Sequence, residues 1–115
     1  MYDFNIYRNQ WIEAYYDGDY SMLDFLESSD FYVRTNNRTV DKTTRLKRIS
    51  NLNQVGKWSP VYTKQNNLEF KNLDNNMIIT GVIEDGFQII KFTEHWQIAD
   101  ARWKICYLIM ETCYE

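Results

Sequence analysis

Residues 68–113 read LEFKNLDNNMIITGVIEDGFQIIKFTEHWQIADARWKICYLIMETC, and this stretch decides the fold. Leu68 to Leu73, Met77 to Ile83, Phe87 to Ile98 and Arg102 to Cys113 are rich in branched and aromatic residues, the composition that suits strands. Asp74-Asn75-Asn76, Asp85-Gly86 and Ala99-Asp100-Ala101 separate them and read as tight turns. Strands of about 10 residues exceed the usual length, so the sheet must bend strongly or coil around something. On the last strand Trp103, Ile105, Tyr107, Ile109 and Glu111 share one face, and Lys104, Cys106, Leu108, Met110 and Thr112 share the other. Both faces are apolar in the middle, so both should be covered. Helices cover one. The other calls for a second copy of the chain, because a monomer rarely exposes a large apolar patch.

Upstream of the sheet, helical spacing dominates. Phe4, Tyr7, Trp11, Ala14 and Tyr15 fall on one face of a helix from about Tyr2 to Tyr16, with Trp11 in the middle of the stripe. Asp17-Gly18 ends it, with Gly18 suited to the left-handed cap position. Asp19 is placed to N-cap a short second helix whose apolar side is Tyr20, Leu23 and Leu26. Phe31 to Thr35, Asn36-Asn37 and Arg38 to Val40 form a short hairpin. Asp41 then N-caps a third helix through about Val55, with Leu46, Ile49 and Leu52 as its stripe and Gly56 as its end. Ser59-Pro60 leads into the sheet near Val61. Helices followed by strands predict an α+β domain of three helices packed on a strongly bent, mostly antiparallel sheet. The whole of residues 1–115 forms one domain.

Composition narrows the function classes. A net charge of −3 argues against a general nucleic-acid binder. No apolar run approaches the length of a membrane span and no leader pattern opens the chain, so the expectation is a soluble, cytoplasmic protein with no membrane partner. The charge is unevenly placed. Residues 1–30 hold seven acids against Arg8 alone, and residues 31–57 hold seven bases against Asp41 alone. Either half could meet a protein partner of opposite charge. Cys106 and Cys113 would lie about 20 Å apart on one strand, too far for a disulfide, and read as free thiols. The single histidine and the two separated cysteines make no zinc pattern. No glycine-rich phosphate loop or paired-histidine motif calls for a cofactor or a metal.

The segment Trp11-Ile12-Glu13-Ala14-Tyr15-Tyr16-Asp17-Gly18-Asp19, with Leu23 and Leu26 behind it, and the pair Phe92-Thr93-Glu94-His95-Trp96 and Trp103-Lys104-Ile105 together resemble the nuclear transport factor 2-like superfamily. The resemblance is to its small bacterial, SnoaL-like and ketosteroid-isomerase-like members. It implies a cone-shaped, cystatin-like fold, a cavity between helices and sheet, and dimerisation through the outer sheet face. It does not imply one activity, since members include isomerases, dehydratases, immunity proteins and non-catalytic adaptors.

Candidate site residues follow from these readings. In isomerase-like members a tyrosine of the first helix donates to an oxyanion beside carboxylic acids. Tyr15 or Tyr16 stands at the corresponding place here, with Asp30 before the first strand as a base. Glu84, Glu94 and Glu111 are further carboxylates without a clear alignment. His95 is a candidate general base by virtue of its near-neutral titration, although strand alternation groups it with the polar Lys91, Thr93 and Gln97. Trp11, Tyr15, Phe31, Trp58, Trp96 and Tyr107 are candidates to line a cavity for a small apolar molecule. A filled core, a protein-binding module such as an immunity or adaptor protein, and a small isomerase or lyase remain the alternatives.

Overall fold

A computed structural model describes residues 3–85 and 88–113. The expected helix start at Tyr2, Gly86 of the expected Asp85-Gly86 turn and Phe87 at the expected strand start lie outside them. The elements run α1 (Phe4–Asp17), α2 (Tyr20–Leu26), β1 (Glu27–Thr35), β2 (Arg38–Asp41), α3 (Lys42–Gln54), β3 (Gln65–Leu73), β4 (Asn76–Asp85), β5 (Gln88–Ala99) and β6 (Arg102–Cys113). Six strands form one sheet in the order β2-β1-β6-β5-β4-β3. Every neighbouring pair is antiparallel except β1 and β6, which run parallel.

The helix ends are set by local chemistry. Gly18 sits at φ 69°, and its N–H donates to the Ala14 and Tyr15 carbonyls, which closes α1 with the left-handed turn that glycine adopts without strain. Asp19 and Asp41 cap α2 and α3 by accepting from the N–H groups of Met22 and Thr44. That contact holds the Asp41 carboxyl below its ordinary range. In α2 only Leu23 and Leu26 are buried, while Tyr20 of the expected stripe is exposed.

The sheet bends at two adjacent irregularities. Trp96 pairs with Ile105 but His95 pairs with Tyr107, so Cys106 has no partner on β5. Beside it on β1, Glu27 pairs with Ile105 and the next register position is Tyr32 with Tyr107. Extra residues of this kind bend and twist a strand. The bulge also breaks the even alternation expected of β6. Trp103 and Ile105 are buried on the inner face, after which Leu108 and Met110, rather than Tyr107 and Ile109, continue that face into the cavity. Tyr107 instead stacks on Tyr32 and contacts His95 on the outer face.

The helices fill the hollow of the bent sheet. Phe4, Trp11, Ala14, Leu23, Leu26, Phe31, Ile49, Ile79, Phe92, Trp96, Trp103 and Ile105 form the core. Trp11 and Trp96 meet edge to face at 5.8 Å, and Phe4 meets Trp96 and Trp103 likewise, the arrangement that ring quadrupoles favour. β3 begins at Gln65, not near Val61. Residues 57–64 have no regular structure because their partners lie on the first helix. Trp58 Nε1 donates to the Tyr15 carbonyl at 2.7 Å, and the Thr63 N–H donates to the Tyr16 hydroxyl.

Candidate functional site: a cavity between helices and sheet

The wide end of the cone is not filled. A cavity of about 590 Å³ lies between α1, β2, α3, the 57–64 crossing and the inner face of the sheet. Its floor is aliphatic and aromatic: Val33, Ile83, Ile90, Phe92, Leu108 and Met110. Trp11, Ile12, Tyr15 and Tyr16 enter from α1, and Trp58 and Val61 from the crossing segment. Arg38, Arg45 and Arg48 stand on the side formed by β2 and α3, while Glu94 and Gln65 stand on the opposite side. Arg38, Thr44, Arg48 and Val61 are exposed, which places the mouth among them. The volume falls within the usual range for small-molecule sites.

Two buried carboxylates support the wall. Glu94 accepts from Arg8 Nε at 2.9 Å and from Arg8 Nη2 at 2.7 Å, a bidentate pair, and from Trp96 Nε1 at 2.8 Å. The same Arg8 nitrogen donates to Gln65 Oε1 at 3.0 Å. Both charges are almost fully out of water, where only paired and hydrogen-bonded ions are tolerated. The second carboxylate is Glu27. Its Oε2 accepts from Trp11 Nε1 at 2.9 Å and from Arg45 Nη1 at 2.7 Å, while its Oε1 is buried without a hydrogen-bond partner. Burial raises the Glu27 carboxyl above its ordinary range, against the pull of Arg45 and Trp11. Arg45 is further braced by the faces of Phe31 and Tyr15, with its guanidinium carbon 5.4 and 5.7 Å from the ring centres.

The sequence candidates separate in space. Trp11, Tyr15 and Trp58 line the cavity. Phe31 and Trp96 are buried beneath it in the core, and Tyr107 belongs to the outer face. Asp30 is exposed at the β1 irregularity and is not among the lining residues. It lies close enough to Cys106 for its charge to add to the burial that raises that thiol. His95 lies on the outer face with its Nε2 2.9 Å from Asn76 Oδ1, and partial burial lowers its pKa. The structure therefore does not bring Tyr15, Asp30 and His95 together. Among the described residues no group of three or more His, Cys, Asp or Glu side chains could hold a metal, and both cysteines are free.

Sequence reasoning missed Arg8, Glu27 and the arginine side of the cavity. Arg8 had a readable signal. It lies four residues after Phe4 and three before Trp11, inside the helical stripe, where a charged residue implies a buried partner. Glu27 carried no comparable pattern, because the irregularity that turns it inward follows it.

No protein-family model matches the sequence, and no curated protein matches it significantly. Solved structures do resemble it. A nuclear transport factor 2-like protein from Cytophaga hutchinsonii superposes with a TM-score of 0.77 at 15% identity, over 93% of each chain. A nuclear transport factor 2-like protein of unknown function in nutrient uptake, from Rhodospirillum rubrum, gives 0.74 at 17% identity, over 96% of this chain and 98% of that one. A putative calcium/calmodulin-dependent kinase II association domain from Exiguobacterium sibiricum gives 0.72 at 12% identity, over 93% and 88%. The chain thus has the nuclear transport factor 2-like fold, the α+β cone that its sequence resemblance implied. No helix among the described residues is long and apolar enough to cross a membrane.

Proposed function

We propose that this protein binds a small, largely apolar molecule in the cavity at the wide end of the cone. The observation that carries the reading is the cavity itself: about 590 Å³ walled mainly by aromatic and aliphatic side chains, with a few fixed polar groups at its sides. That combination characterises ligand sites. Catalysis by a tyrosine and a carboxylate draws less support. Asp30 is outside the lining, and Glu94 is already engaged by Arg8 and Trp96. A charge-steered protein partner draws less support as well. The acidic and basic halves of the sequence partly neutralise each other, through Arg45 with Glu27 and Lys42 with Asp24.

The test is a titration with N-phenyl-1-naphthylamine, a neutral dye that brightens in apolar sites. Saturable binding is expected, with quenching of tryptophan emission, since Trp11 and Trp58 line the cavity. Val33→Trp, which places an indole into the floor, should abolish it while the far-ultraviolet circular dichroism stays unchanged. No saturable binding, or binding untouched by Val33→Trp, would remove the reading.

A further inference from the structure

The charges around the cavity do not cancel, and the imbalance points to what the ligand carries. Glu94 is matched by Arg8, and Arg45 is matched by Glu27. Arg38 and Arg48 remain, and among the described residues neither guanidinium has an ion-pair or hydrogen-bond partner. The chain brings these cations to one side by simple geometry. Arg45 and Arg48 are three apart on α3 and so share a face. Arg38 and Val40 are two apart on β2 and so share a face, and both reach the cavity. Arg45 is the fixed member. Glu27 holds one of its nitrogens, two aromatic faces brace its plane, and its remaining N–H groups have no protein acceptor among the described residues.

We propose that the bound molecule is an apolar carboxylate, with its alkyl or aryl body on the floor of Val33, Phe92, Leu108 and Met110 and its carboxylate against Arg38, Arg45 and Arg48. The proposal rests on the cavity reading above and adds the chemical class of the ligand. A guanidinium presents a planar fork of donors that matches a carboxylate, and such charge-assisted bonds are the strong ones. The hydrogen-bonded Glu27 is a positioning residue here, because it orients Arg45 without reaching the ligand. An uncharged molecule of the same shape would leave Arg38 and Arg48 unmatched at the mouth and forgo that attraction.

Isothermal titration calorimetry on the full chain, with matched pairs, tests this. The pairs are 1-naphthylacetate with 1-naphthylacetamide, and octanoate with octanamide. In each pair the apolar body is the same and only the charge differs. The carboxylate should bind at least about 10-fold tighter than its amide, the size expected for charge-assisted contacts. The preference should shrink as salt rises, because the mouth is solvent-exposed. Arg38→Gln and Arg48→Gln lie outside the core, so both should fold. Each should reduce the carboxylate-to-amide ratio, and the double variant should bring it close to one. Equal affinities within the pairs, or a preference that survives in the double variant, would overturn the carboxylate assignment while leaving the apolar cavity standing. If neither member of either pair binds, both the assignment and the cavity reading fall.

Discussion

Arg8 and Glu94 show how much depends on single side chains in this core. Their pair is buried on both sides, so removing one partner leaves a naked charge among aromatic rings. Arg8→Met should cost about 3–5 kcal/mol, read as a drop in the urea unfolding midpoint. Arg8→Met combined with Glu94→Leu should recover much of that loss, because the stranded charge goes too. A single variant as stable as the parent would mean that water reaches Glu94. Glu27 makes a different prediction. Burial raises its folded pKa above the ordinary carboxyl value of 4.5, so over the window between the two values the folded chain holds a proton that the unfolded chain has lost. Stability from this group is therefore complete below 4.5 and is lost as pH rises through the raised value. Glu27→Gln should flatten that part of the stability–pH curve; an unchanged slope would mean that Glu27 ionises normally. His95 acts in the opposite direction. Its lowered pKa means that folding resists protonation, so its contribution is present above the ordinary imidazole value and lost as pH falls through the lowered one.

Element by element, the hairpin between β5 and β6 offers the cleanest test. Ala99 pairs with Arg102, leaving a two-residue loop in which Asp100 and Ala101 both have positive φ, 54° and 63°. Paired positive φ values mark the primed turns that suit twisted strands, but alanine pays a steric penalty there. Ala101→Gly should raise stability by about 1 kcal/mol, seen as a higher thermal midpoint; a lower midpoint would mean that the backbone strain is negligible beside the entropy glycine adds to the unfolded chain. This turn was legible beforehand as a break between two apolar runs. The helix caps at Gly18, Asp19 and Asp41 were legible too, because capping depends on one residue and its immediate neighbours. The bulge at Cys106 was not. The apolar run through Ile105-Cys106-Tyr107-Leu108 satisfies either phase of a two-residue period, so the pattern carries no mark of the slip. That one slip sends Tyr107 outward and Leu108 inward, and with it goes the membership of the cavity wall. The start of β3 was misread for a related reason: Val61 and Tyr62 look like strand residues, but the groups that hold this segment are Tyr15 and Tyr16, far away in sequence.

At the scale of the whole molecule the outer face of the sheet remains to be accounted for. Tyr32, Ile78, His95, Tyr107 and Ile109 are only half-covered by their own chain, and we infer that a second copy packs there. Light scattering at micromolar concentration should give about twice the chain mass of 14.0 kDa. Tyr107→Glu should return it to a monomer; a strictly monomeric parent would remove the inference. The sheet order has a further consequence, for how the molecule is made. β6 follows the other five described strands in sequence yet lies between β1 and β5, in the interior of the sheet. Without β6, β1 and β2 share no strand pairing with β5, β4 and β3, and Glu27 lacks its neighbour at Ile105. Joining segments so distant in sequence is a slow step in folding. Closing the sheet therefore waits on its longest-range pairing, β1 with β6, which joins residues 27–34 to residues 105–109.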